Sequence, residues 1–566
     1  MTDDYSSRYC ETALRNAAVW TADRAHPWAE AIAIRDGKIC AIGRNADVEA
    51  LIGPWTQVID LRGKMVMPGI NDVHVHALMG GRADLYECNF LPTASFDEIL
   101  RTVDTHAAKT ADGKWIAGGI WGSDLLGKLS SLEARRALDG VSHGHPVILS
   151  DDTRHNRWAN TRALEAANMT ADTPGPPDGE IVKETQGGEP TGVLLEAAGQ
   201  SVDAAAFAAQ ENRVEYDLAA ARRAVEILNR HGVTAFQEAG TSLSVLAAFR
   251  GLDDRGELSA RVVGSLPLNG SIFAGDVIGE ELIAKREGYR SAHVRPDFVK
   301  IFLDGVPPSR TAAFLEPYLP DESHGYGFRG KAKLSLVELT LLMAKYERAG
   351  LPTKIHATGD GSVREVLDAI ELIRHFHGAD GPAHHLAHAS FIDPADIARF
   401  KALNVVADLS PSLWYPGPIL EATKLAIGEQ RALRFWPNRD LYESGALLAA
   451  GSDWPVMPSP TPWNGIEGMI TRRDPSGAFQ GALWPEQALD LTAVLEIYTI
   501  NAARAMGIDH LTGALGVGRS ADLIVLDRNL FQIPPGDISG TRVLMTVFEG
   551  RIVQAAEVSF ASGAGQ

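Results

Sequence analysis

Cysteine is scarce in this 566-residue chain: only Cys10, Cys40 and Cys88 occur, and no two form a Cys-x-x-Cys pair. That excludes a disulfide framework and a cysteine-held zinc site, and leaves the cytoplasm as the default compartment. Dense basic runs are missing too. Lys plus Arg total 53 against 72 for Asp plus Glu, a formal charge of −19. Phosphate backbones and anionic membranes repel such a chain, so neither nucleic acid nor a membrane is expected as a partner. No uncharged apolar run approaches the roughly 18 residues of a membrane span. The opening MTDDYSSRYCETALRNAAVW is acidic and polar where a signal peptide needs a basic start and an apolar core. Solenoid repeats and low-complexity tracts are absent. One glycine cluster, GALGVG at 513 to 518, lacks the preceding strand and the spacing of a dinucleotide loop.

What is present is ordinary globular composition, 45% hydrophobic and 22% charged, enough to bury a substantial core. The length allows roughly two to four average domains, or one large barrel with an accessory domain. Near the start, AIAIRDGKICAIG reads as strand, Asp36-Gly37 turn, strand. The far end echoes it with ADLIVLD at 521 to 527 and VLMTVFEGRIV at 543 to 553, turning at Glu549-Gly550. Two β-rich ends around a different middle predict one β-sandwich built from both termini, residues 1–66 and 511–566. The middle, 67–510, alternates strands and helices. A helix is expected over ENRVEYDLAAARRAVEILNR, with Val214, Leu218, Val225 and Leu228 at helical spacing.

Strand candidates are GINDVHVH, GVTAFQE, RVVGSLPL, DFVKIFLDG, TKIHATGD, HHLAHA, NVVADLS and ALLAAGSD. Eight alternating units predict an α/β fold of the (β/α)8 TIM barrel type, with a doubly wound sheet as the competitor. About 82–205 is too long for a crossover and is rich in Gly and Pro, as in TPGPPDGE and TQGGEPTG. It is expected to be an inserted subdomain after the first barrel strand, over the mouth.

Seventeen histidines carry the chemistry. His74 and His76 project from one face of a strand end, because residues i and i+2 share a face, and two neutral imidazoles suit a divalent metal. Lys300, in FVKIF on the face of Phe298 and Phe302, is a candidate for a lowered pKa. A neutral amine there can take up carbon dioxide as a bridging carbamate, whereas an ordinary lysine would reach the rim or pair with Asp304. His356 in KIHATGD and His388 in HHLAHA each end a later strand. Asp453 in AAGSDWP offers a carboxylate that can bind metal and accept a proton from water, or else cap a helix. All six fall at the C-terminal ends of strands one, four, five, six and eight, the face on which barrel enzymes build their sites.

Along nearly its whole length the chain resembles the amidohydrolase superfamily, in the group called amidohydrolase family 3 or YtcJ-like. The resemblance is carried by PGINDVHVH, SDDTRHNRWANTRALEAAN, EPTGVLLEAA, VKIFLDG, IHATGD, HHLAHA, GSDWPV, YTINAARAMG and GALGVGRSADLIVLD. It implies a barrel joined to a β-sandwich and a zinc-type centre of one or two divalent ions. His74, His76 and Asp453 would hold the more buried metal, His356 and His388 the second, and carboxylated Lys300 would bridge them. Asp453 would then be the catalytic residue, taking a proton from the activated water and returning it to the leaving amine.

Relatives carry Glu-His where this chain has Ala387-His388, and alternation predicts that residue 387 faces away from the ligands. A glutamine usual on strand seven is replaced by Ser410 or Ser412. His155, Trp121, Arg310 and Trp414 are candidate substrate contacts. The expected activity is hydrolysis of a C–N bond in a small N-acyl or N-formyl compound by metal-activated water. The alternatives are ester hydrolysis or a lyase or decarboxylase reaction at the same centre, or a non-catalytic metal-binding paralogue. A homodimer is a further expectation for a barrel of this size.

Overall fold

The computed structural model describes residues 8–270, 275–321, 323–378, 380–413 and 416–556. Eight strands form one parallel sheet that is nearly closed into a barrel: β1 (Ile70–Val75), β2 (Val233–Glu238), β3 (Arg261–Pro267), β4 (Val294–Phe302), β5 (Thr353–Ala357), β6 (His384–His388), β7 (Val405–Leu409) and β8 (Leu447–Ala450). They neighbour one another in chain order. Most are buried on both faces, as parallel strands covered by helices must be.

The helix after the inserted region spans Arg213–Arg230 and buries Leu218, Val225 and Leu228 against the barrel, each removal from water stabilising by about 1.5–3 kcal/mol. Val214 is 77% exposed, contrary to its place in the expected apolar stripe. It lies in the helix's first turn, where nothing packs over it. Later, Ser335 caps the helix Leu336–Arg348 in a reciprocal box with Glu338.

Between β1 and β2 the chain builds a separate five-stranded sheet from Ile116–Trp121, Val147–Asp151, Arg157–Ala159, Gly179–Lys183 and Pro190–Glu196. Its core includes Ile99, Val103, Trp121, Leu138 and Trp158. Trp121, expected as a substrate contact, is fully buried there and donates its indole N–H to the Leu149 carbonyl at 3.2 Å. Its large apolar area is used inside the insertion, away from the mouth.

Strands from both termini lie in one sheet, and a hairpin forms at each turn signal. Ala31–Arg35 pairs with Lys38–Gly43, and Val543–Phe548 with Arg551–Ala555. Both turns place two consecutive residues at positive φ, Asp36 and Gly37 at 53° and 72°, Glu549 and Gly550 at 46° and 73°, the conformation that suits a tight hairpin. A six-stranded sheet combines strands from both ends of the chain and shares a core with a four-stranded sheet from the N-terminal part, including Leu14, Val19, Ile34, Val66, Leu523 and Val547. Arg261, opening β3, ties the barrel to these strands through Asp522 (3.3 Å), Ser520 (3.0 Å) and Glu549 (2.8 Å). His293 adds bonds to Asp253 (2.6 Å) and Glu549 (3.2 Å). Among the described residues no helix is long and apolar enough to cross a membrane.

Candidate metal centre

β1 and β8 close the sheet at the mouth through a clasp of hydrogen bonds. The buried Asp72 carboxylate accepts from the His74 N–H (3.0 Å) and the Ser452 N–H (3.1 Å). The Asp453 N–H donates to the His74 carbonyl and the His76 N–H to the Trp454 carbonyl, both at 2.8 Å. Gly451 permits this approach, because a Cβ there would lie 2.4 Å from the His74 nitrogen. Asp453, at φ 53°, thereby turns its carboxylate toward both imidazoles. Its Oδ1 lies 3.7 Å from His74 Nε2 and 3.6 Å from His76 Nε2. One ligand atom from each of these three residues falls within 4.8 Å of the others.

His388 joins from β6, with Nε2 3.8 Å from Asp453 Oδ2 and its ring centroid 4.6 Å from that of His74. His356, ending β5, lies 5.1 Å from His388 between ring centroids. Three of the four rings have their Nδ1 facing an outer oxygen: His74 faces Asp408 (3.5 Å), His356 faces Asp304 (3.2 Å), and His388 bonds the Ser410 hydroxyl (2.7 Å). The hydrogen bonds of His356 and His388 favour the tautomer that leaves Nε2 for a ligand, whereas the Asp408 carboxylate faces His74 Nδ1 without a hydrogen bond. Ser410, of the two strand-seven serines, is thus the one that supports a histidine.

Lys300 is fully buried on β4, and its Nζ has no hydrogen-bond partner among the described residues, nor has Asp453 Oδ1. Burial, then Lys354, holds the Lys300 ammonium well below its usual range, and burial pushes Asp453 up. Burial, then Lys300, keeps His74 far below 6.5 and takes His76 to about 3. The imidazoles are therefore neutral, the form that binds metal. Neutral histidines, a carboxylate and an unpartnered buried amine fit a divalent transition-metal centre.

The amidohydrolase family profile matches residues 57–554. The chain belongs to the amidohydrolase family. It is 30% identical over 550 residues to the Arabidopsis thaliana protein LONG AFTER FAR-RED 3, covering 95% of this chain and 90% of that one. It is 28% identical over 552 residues to the N-substituted formamide deformylase of Arthrobacter pascens, covering 94% and 96%. In fold it resembles an uncharacterized metal-dependent hydrolase from Pyrococcus horikoshii OT3, with a TM-score of 0.71 at 24% identity over 93% of this chain and 99% of that one.

In this amidohydrolase the six expected ligands line one cavity together with His155. His155 comes from the inserted region, its ring 5.3 Å from that of His356. Its Nδ1 lies 3.1 Å from both oxygens of Glu196, which also accepts from Thr311 Oγ1 at 2.7 Å and faces Lys333 at 3.6 Å. Burial alone would raise the Glu196 pKa, but the His155 charge and hydrogen bond outweigh it and bring the group to about 2. Phe302, Val306, Leu413, Ile419, Phe435 and Trp436 supply an apolar wall.

Arg310 is not part of this lining. It pairs with Asp321 at 2.7 Å and donates to the Leu319 carbonyl at 2.5 Å, so its guanidinium fastens a loop. Trp414 lies outside the described residues. Ala387 departs from the expected facing. His384 bonds Glu347 outside the barrel while His385 faces Asp408 within, so alternation places Ala387 on the interior side with His385. His388, the last residue of β6, nonetheless lines the centre, and the next residue, Ala389, turns at φ 53°.

Four carboxylates escaped the sequence reading as contributors to the site: Asp72, Asp304, Asp408 and Glu196. Asp304, considered as a partner for Lys300, instead accepts from Thr358 N (3.1 Å) and Gly359 N (3.1 Å) and holds His356. Asp72 had a legible signal, since it precedes His74 by two residues on the same strand.

Proposed function

We propose that this amidohydrolase cleaves the C–N bond of a small N-acyl or N-formyl compound using one or two divalent metal ions, zinc foremost. His74, His76, His356, His388 and Asp453 would hold the metal, with Lys300 contributing as its carbamate. The carrying observation is the convergence of these side chains at the barrel mouth, with the Lys300 amine and one Asp453 oxygen without a hydrogen-bond partner among the described residues. Buried polar groups are rarely abandoned without a ligand to satisfy them. When bound, the metal supplies a Lewis acid that polarises a carbonyl and eases loss of a proton from water.

The chain's own residues do the rest. Asp453 takes a proton from the attacking water as the water oxygen bonds to the carbonyl carbon. It gives that proton to the nitrogen as the C–N bond breaks, leaving an amine and a carboxylic acid. His155, braced by Glu196, faces the same chamber and is placed to contact the substrate. The apolar wall would seat the substituent and exclude bulk water. Near-full-length similarity to a formamide deformylase supports the amide over the ester.

The test is elemental analysis of protein purified without chelator, joined to a screen of N-formyl amines, N-acyl amines and esters read by product mass. About one to two transition-metal ions per chain and paired release of amine and acid are expected. Absence of metal, with no recovery on adding zinc, manganese or bicarbonate, would overturn the metal reading. Turnover of esters alone, or release of carbon dioxide without amine, would overturn the amide reading.

A further inference from the structure

Beneath the ligands lies a charge pair that the hydrolysis does not use. Lys354, on β5, and Asp408, on β7, are both fully buried, and the Lys354 ammonium donates to Asp408 Oδ2. The same Nζ donates to the carbonyl of Val73 at 2.8 Å. In the order of the sheet β5 stands midway round from β1, so this side chain reaches across the barrel interior to the strand that carries His74. Asp408 Oδ2 in turn lies 3.5 Å from His74 Nδ1 and 3.6 Å from His385 Nδ1. His385 is itself anchored by its Nε2 to the Ala505 carbonyl at 2.9 Å.

A buried ion pair is a poor stability device, because desolvation offsets much of its attraction and well-packed apolar residues often serve as well. What this one provides is geometry. It fixes the peptide preceding a metal-ligand candidate and the carboxylate behind that candidate's ring, from two different walls of the barrel. Carboxylates in that place set the tautomer and orientation of metal-bound histidines.

We propose that Lys354 and Asp408 are positioning residues for the metal centre. Asp408 holds His74 in the tautomer that presents Nε2 to the ion, and Lys354 locks both Asp408 and the Val73 carbonyl. The proposal rests on the reading above that His74 holds a metal.

The experiment strips the full-length protein with chelator and titrates zinc into wild type, Asp408→Asn, Lys354→Met and the double variant by competition with a chromophoric chelator. Cobalt-loaded spectra are recorded alongside. Asp408→Asn is expected to weaken zinc binding about 10- to 100-fold and to shift the visible cobalt bands, which a merely structural change would leave alone. Lys354→Met should weaken binding in the same sense, and the double variant should lose less than the product of the two. If the single Asp408 variant does not fold, the double variant, which leaves no buried charge unpaired, carries the same expectation. Folded variants that bind zinc within about twofold of wild type, with unchanged cobalt bands, overturn the proposal and leave the metal reading standing. A wild type that binds no metal overturns both.

Discussion

The two ends of the barrel each bury a cluster of charged groups, and the two clusters are satisfied differently. At the end facing the terminal strands, Arg261 and His293 find Asp522, Ser520, Asp253 and Glu549, and the charges close on one another. At the mouth, Lys300 Nζ and Asp453 Oδ1 have no hydrogen-bond partner among the described residues. Groups left without hydrogen bonds where four imidazoles also converge are consistent with a ligand from outside the chain.

Several substitutions would break or sharpen that contrast. The largest effect is expected for Asp453→Asn, which removes the proton acceptor at the unsatisfied end. Turnover should fall by about 10²–10⁴-fold, while elemental analysis shows most of the metal retained; full activity would remove Asp453 from its role. Arg261→Ala attacks the satisfied end. It strands Asp522 and Glu549 and should cost about 3 kcal/mol, read as a lower urea midpoint with little change in metal content.

Ser410→Ala withdraws the hydroxyl behind His388. Metal affinity should drop about tenfold with the melting temperature of the apoprotein nearly unchanged.

The smallest effect is a pH slope. Hydrogen bonding to Glu549 raises the His293 pKa above 6.5, and that bond from His293 lowers Glu549 from 4.5 to about 2. The His293 contribution is complete below 6.5 and is lost as pH rises through the raised folded value. The Glu549 contribution is complete above 4.5 and is lost as pH falls toward 2. His293→Gln should therefore flatten the alkaline limb of a plot of urea midpoint against pH, and an unchanged limb would remove this pair from the account.

The contrast also explains what the sequence disclosed. That His74, His76, Lys300, His356, His388 and Asp453 line one cavity was legible because each lies at or near the C-terminal end of a strand, and those ends of a parallel barrel converge. Asp304 and Asp408 were not, because their role depends on which ring they face across neighbouring strands, and one sequence does not encode that facing. Trp121 and Arg310 misled for a related reason: an aromatic ring or a guanidinium reads alike whether it serves a core, a loop tie or a substrate. The hairpin at each end was readable because tight hairpins demand residues that tolerate positive φ, and Asp-Gly and Glu-Gly advertise it.

The clasp between the first and last barrel strands has a consequence for the order of events on the ribosome. Asp72 and Ser452 are 380 residues apart, yet their bond closes the sheet at the place where His74 and Asp453 meet. A nascent chain that already carries the four histidines and Lys300 lacks the Asp453 carboxylate until the final strand arrives. Loop closure over such a distance is slow and comes late. The carboxylate therefore joins the imidazoles only as the barrel is completed, and a chain cut short before β8 carries the four histidines and Lys300 without it.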